Sequence, residues 1–119
     1  MTHKDLDVWK RSIDFVTTLY KLTENFPKSE MYGLSSQLRR ASVSIPSNIA
    51  EGASRNHKKE FIQFLYISLA SASEVDTQLI ISCNLNFIDD KQLNKLSKEL
   101  DEISKMLQGL LKSIKKSNN

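Results

Sequence analysis

RRASVSIPSNIAEGASRNHKKEF, residues 39–61, holds the three features on which the fold turns: a proline, a glycine and a run of cations. Ala41, Ile45 and Ile49 recur at helical spacing across Pro46, so the stretch reads as helix despite the proline. A proline inside a helix removes the hydrogen bond to the carbonyl four residues back, here Ser42, at a cost of ~3 kcal/mol. The alternative is a break with a restart at Pro46. That would make Ile45 the N-cap, and isoleucine cannot accept from the freed amides. A continuous second helix kinked at Pro46 is therefore expected, with small Ala41, Ser42 and Ser44 making room and serine hydroxyls satisfying loosened carbonyls. Packing and function both stand as reasons for such a kink. Gly52 reads as a left-handed C-terminal cap, which makes Glu51 the last helical residue.

Working outward, the periodic signal is helical throughout, since the chain has only three glycines and two prolines and no strand-length alternation. Four helices are expected, at about 5–25, 31–51, 57–84 and 90–116, with a frayed tail at 117–119. The first places Leu6, Trp9, Ile13, Val16 and Tyr20 on one apolar stripe, with Phe15, Leu19, Leu22 and Phe26 beside it. The second turns Leu34, Leu38, Ala41, Ile45 and Ile49 inward. The third is apolar nearly all round in its first half, from Phe61 to Leu69, which calls for more than one neighbour. The fourth carries a heptad seam: Leu93, Leu96, Leu100, Ile103, Leu107, Leu110 and Ile114. Short connections make consecutive helices antiparallel neighbours, so the expectation is an all-α, up-down-up-down four-helix bundle forming a single domain over 1–119.

Composition narrows the function classes. With 119 residues the chain can build one modest core unaided. Cys83, the only cysteine, sits in LIISCNL and is expected as a buried, reduced thiol of a cytoplasmic protein. No stretch approaches the ~18 apolar residues of a membrane span, and the first ten residues lack the apolar core of a signal peptide. His3 and His57 stand at helix edges with no second ligand at helical spacing, and no inward Glu-x-x-His pair exists, so neither metal nor cofactor is expected. Glu74 and Asp76 are two apart, on different faces of one helix, and read as a polar patch. No nucleophile elbow or phosphate-binding glycine loop is present, so no enzyme is expected, unless pockets between subunits assemble one. The run SLASASE, residues 68–74, is narrow enough for close approach by helix two or by another subunit. Surplus apolar Ile62, Tyr66 and Ile67 favour self-association.

Charge distribution singles out one place. The formal net charge is +3. The fourth helix follows the dipole rule, with Asp89 and Asp90 at its start, Gln92 able to close a capping box, and Lys112, Lys115 and Lys116 at its end. The third does the reverse: Arg55, His57, Lys58 and Lys59 gather at a positive N-terminus. Glu60 offsets part of this, and Glu51 can pair with Arg55 or Lys58. The cluster is either a solvated surface or an anion site for nucleic-acid phosphates, contacted by charge and not by base edges. Arg39 and Arg40, some three turns back, extend the positive strip.

The pieces LDVWKRSIDFV, LYKLTENFPKSEMYGLSSQLRRASVSIPSNIAEGASRNHKKEFIQFLYISLASASEVDTQL and NFIDD resemble the bacterial four-helix bundle proteins encoded in intervening sequences of large-subunit ribosomal RNA genes. The accessory variability determinant of diversity-generating retroelements is similar to these. The resemblance covers about Asp5 to Leu111, with motif positions at Arg39, Arg40, Ser44, Ile45, Pro46, Asn48, Glu51, Gly52, Arg55, Lys58 and Lys59. It implies a ring-like homopentamer with a basic surface and, from the retroelement relatives, binding to nucleic acid and to a reverse transcriptase. Asn86 stands where relatives commonly carry glycine, and asparagine tolerates the left-handed turn required there. The resulting expectation is weak, sequence-independent backbone binding through Arg39, Arg40, Arg55, Lys58 and Lys59. The alternative is a protein-interaction scaffold that docks a partner such as a reverse transcriptase, with no direct nucleic-acid role.

Overall fold

The turn from the third helix to the fourth is set by residues within it, whereas the other helix ends draw less on local side-chain caps. In the computed structural model, which describes residues 2–117, the helices are α1 (Asp7–Thr23), α2 (Leu34–Ser54), α3 (Lys58–Asn84) and α4 (Asp90–Lys116). Short 3-10 turns at His3–Asp5 and Lys28–Glu30 precede α1 and α2. Asp89 caps α4 through the expected box: its carboxylate accepts from the Gln92 amide at 2.7 Å, and Gln92 Oε1 accepts from the Asp89 amide at 2.9 Å. α3 ends on a Schellman turn, with Asn86 at φ 63°, its amide bonded to the Cys83 carbonyl and that of Phe87 to the Ser82 carbonyl. Ser117 is the C-cap of α4, while the remainder of the expected frayed tail lies outside the described residues.

Contacts between helices set their directions. On α2 and α3, Ser44 meets Ser71, Ile45 meets Ser68, and Gly52 lies beside Phe61 and Phe64. On α3 and α4, Lys58 meets Lys115, Asp76 meets Ser97, and Cys83 meets Asp90. Arg11 of α1 pairs with Glu102 of α4, and Thr18 and Leu22 share a groove with Leu96 and Gln92. In every pair one number falls as the other rises. The start of α1, the end of α2, the start of α3 and the end of α4 therefore share one end of a body 49 Å long.

α2 runs unbroken through Pro46, whose ring is buried. Serines line the crossing with α3: the Ser68 hydroxyl donates to the Ile45 carbonyl at 2.9 Å, Ser42 to the Arg39 carbonyl at 3.0 Å, and Ser44 and Ser71 share a 2.8 Å bond. Asn48 Nδ2 donates to the Ser44 carbonyl and hydroxyl, closing the seam. Gly52 corrects the reading of a cap. It lies inside α2, two residues before the end, and is buried; a Cβ there would stand 2.8 Å from Phe64 Cβ and 2.9 Å from Phe61 Cδ1. The glycine is required by close approach of α3, and the C-cap is Arg55 in extended conformation.

The core comprises Phe15 and Leu19, Leu38, Ile45 and Ile49, Leu65, Val75 and Leu79, with Leu96, Leu100, Ile103 and Leu107 from the expected heptad seam. α1 departs from its expected face. Val8, Ser12, Phe15, Leu19 and Thr23 point inward, while Ile13 and Tyr20 are exposed. Two polar residues can be buried on that face because each hydroxyl bonds a carbonyl of its own helix: Ser12 to Trp9 at 2.8 Å, Thr23 to Leu19 at 3.0 Å. Among the described residues no helix is long and apolar enough to cross a membrane.

Candidate nucleic-acid interface

Topology sorts the charges into two unlike halves. The half containing residues 2–12, 47–66 and 104–117 carries ten Lys and Arg against four Asp and Glu. The other half carries seven against ten. The net charge of +3 is thus the remainder of +6 at one end and −3 at the other.

At the basic end α2 stops and α3 starts within four residues. Arg55 is held by Glu51, Nη2 to Oε1 at 2.6 Å, and its guanidinium lies 5.3 Å from the centre of the Phe64 ring. This is one of the two expected pairings of Glu51, made one turn on by the C-cap residue of α2. His57 is the N-cap of α3 and makes no side-chain capping bond, so the first amides of α3 have no side-chain acceptor from that position. Lys59 is exposed and has no ion-pair or hydrogen-bond partner among the described residues. Lys58 is half-buried, and its ammonium donates to the backbone carbonyls of Lys115, at 3.4 Å, and of Ser117. It caps the C-terminus of α4.

That cap draws in residues that the sequence reading assigned only to the dipole of α4. Lys112, Lys115 and Lys116 line a groove of about 470 Å³ with Tyr66, Leu69, Gln108 and Leu111. The Lys115 ammonium donates to the Tyr66 hydroxyl and lies 4.9 Å from the centre of its ring. A second groove of about 320 Å³ runs between Arg55, Asn56, His57, Lys58, Phe61, Ile114 and Ser117. The positive N-terminus of α3 thus abuts the lysine-rich end of α4, although some fifty residues separate them in the chain.

The other two expected cations lie elsewhere. Arg40 is about 22 Å from Arg55 along α2 at 1.5 Å per residue. It lines a polar groove with Tyr32, Ser36, Gln37, Ser44 and Glu74. Arg39 is turned back onto α1, with Nε donating to Thr23 Oγ1 at 2.8 Å, Nη2 to the Tyr20 carbonyl at 3.2 Å, and the guanidinium 4.6 Å from the centre of the Tyr20 ring. It closes the C-terminus of α1 and shields an exposed aromatic. Pro46, Asn48 and Gly52 belong to the α2–α3 seam, and Glu51 to the ion pair.

The remaining titratable candidates separate as well. His3 packs edge-on against Trp9, 5.2 Å between ring centres. Glu74 accepts from Gln78 Nε2 at 3.3 Å and Asp76 from the Ser97 hydroxyl at 3.0 Å, on different faces of α3. Cys83 is half-buried, less enclosed than expected, because it lies in the last turn of α3. Its thiol donates to Asp90 Oδ1 at 3.3 Å. That bond, desolvation, and the charges of Asp90 and Asp89 push the thiol above the ordinary cysteine value.

Solved structures share this architecture. One is the crystal structure of a protein of unknown function from the S23 ribosomal protein family of Bacteroides thetaiotaomicron VPI-5482, with 27% sequence identity over 88% of this chain and 98% of that one, at a TM-score of 0.79. No curated protein matches the chain. Residues 4–109 match the 23S rRNA-intervening sequence proteins, and the chain belongs to that family.

Proposed function

We propose that this protein binds the phosphate backbone of nucleic acid, without base readout or catalysis, through the basic end of its bundle. One observation carries the reading: the start of α3, which has no side-chain N-cap and carries Arg55 and Lys59 beside it, meets through Lys58 the end of α4 that bears Lys112, Lys115 and Lys116. Cations are unfavourable at a helix N-terminus by a few tenths of a kcal/mol each, and Glu51 and Glu60 offset only part of this. A bound polyanion removes the conflict, since its phosphates accept from both the amides and the side chains. A cytoplasmic location is part of this reading, since such a ligand is intracellular. Filter binding of unrelated RNA and DNA sequences tests the reading. Comparable affinities that fall steeply with salt support it; absence of binding at low salt rejects it.

A second surface favours assembly. Ile67 and Ile81 of α3, Leu85 at its C-cap and Tyr32 before α2 are exposed, Tyr32 at 93%. This supports self-association, with the homopentamer implied by family resemblance as the stoichiometry, or docking of a protein partner such as a reverse transcriptase. Mass in solution separates these: a monomer removes self-association. Co-purification with and without nuclease then distinguishes a direct protein partner from one tethered by nucleic acid.

A further inference from the structure

We infer that the groove between α3 and α4 at the basic end makes the protein prefer single-stranded over double-stranded nucleic acid. The inference rests on the backbone-binding reading above and names its substrate. Phosphate contacts alone do not distinguish strands from duplexes, so a preference requires a place for an unpaired base. The groove lined by Tyr66, Leu69, Leu111 and the three lysines has that composition: an aromatic ring and two leucines beside a cationic rim.

Tyr66 is 46% exposed, so much of its surface remains available to a ligand. Lys115, held to its hydroxyl and over its ring, restrains the side chain and places positive charge beside the aromatic surface. A base against Tyr66 and the half-buried Leu69 would leave its phosphates within reach of lysines spaced by about one helical turn or less. A duplex cannot use this surface, because its base faces are already stacked and its edges paired. Charge complementarity specifies the occupant: Lys112, Lys115 and Lys116 rim the groove and no acidic side chain lines it.

Fluorescence anisotropy on the full chain, with a labelled 20-nucleotide oligouridylate and a 20-base-pair RNA duplex at matched salt, tests this. The single strand is expected to bind about tenfold tighter, in the range of one base–aromatic stack. Tyr66→Ala should lower single-strand affinity to that of the duplex and so remove the preference, whereas Tyr66→Phe should retain it. Equal binding of the two ligands, or a preference that survives Tyr66→Ala, overturns the inference. Crosslinking of a 4-thiouridine strand to the unmutated chain provides a check independent of the variants' folding. Adducts within 66–69 or 108–116 support the site, and adducts confined elsewhere overturn it. Duplex binding that is lost on reversing Lys59 and Lys116, with no strand preference, rejects this inference but not the backbone reading; no binding of either ligand rejects both. Phosphatidylserine vesicles that bind in a Tyr66-dependent way, without any strand preference, overturn it in favour of a lipid surface.

Discussion

The two ends of the bundle handle helix termini in opposite ways. At the acidic end α4 starts on Asp89 with its capping box, and α3 stops on a Schellman turn at Asn86, so polar groups find partners within a few residues. At the basic end α3 starts without a side-chain cap among its own cations, and α4 stops on carbonyls that Lys58 reaches from another helix. One end is closed by local chemistry; the other depends on tertiary contacts and keeps charge unpaired. The contrast separates the locally closed helix ends from the surface proposed to bind.

Charge reversal provides the hardest test of this division. Lys59→Glu with Lys116→Glu should weaken binding to unrelated RNA sequences by more than about tenfold at low salt and flatten the salt dependence by roughly two phosphate contacts. Lys91→Glu with Lys98→Glu, two exposed sites at the acidic end, should leave binding nearly unchanged. Equal losses in the two variants would abolish the distinction between the ends.

Gly52 and Gly109 offer a comparison within helices. Gly52→Ala should destabilise by about 1–3 kcal/mol in chemical denaturation, because its Cβ meets Phe61 and Phe64 and their helix cannot yield freely. At Gly109 an added Cβ meets nothing within 4 Å, so Gly109→Ala should stabilise by about 0.5–1 kcal/mol through helix propensity alone.

Two arginines sharpen the comparison further. Arg39→Ala should lower stability by about 1–2 kcal/mol, since it removes the hydrogen bonds to Thr23 Oγ1 and the Tyr20 carbonyl and uncovers more of the Tyr20 ring, yet leave affinity for nucleic acid intact. Arg55→Ala should show the opposite pattern: its exposed ion pair contributes little to stability, roughly 0–1 kcal/mol, while its charge belongs to the proposed binding surface, so affinity should fall.

The smallest effect is expected at Cys83. Its raised pKa stabilises the protonated fold below the ordinary cysteine value, and that contribution is lost as pH rises through the raised one. Asp90→Asn should bring the thiol back toward the ordinary value and speed alkylation at mildly alkaline pH. An unchanged pH–rate profile would show that the Asp90 contact does not govern the thiol.

Local features were legible from the chain alone. The Asp89–Gln92 box, the left-handed Asn86 and the Glu51–Arg55 pair each involve residues within one turn, where spacing dictates geometry. The face of α1 was not, because two adjacent apolar stripes have the same period, and the buried one is interrupted by Ser12 and Thr23. Those residues look solvent-facing until their bonds to backbone carbonyls are seen. Gly52 was placed near its helix end but given the wrong cause, since a glycine two residues from a terminus fits both a cap and a close approach. Arg39 and Lys58 were read as ligand-binding cations because the acceptors they use lie on other helices.

Periodicity and the scarcity of breakers were enough to determine four helices and the continuity of the second through Pro46, since these depend on spacings within a few turns. Which cations meet, which are consumed as caps, and which remain open to a ligand was decided only when the helices packed. Antiparallel packing places α3's N-terminus beside α4's C-terminus, and charges remote in the chain become one surface.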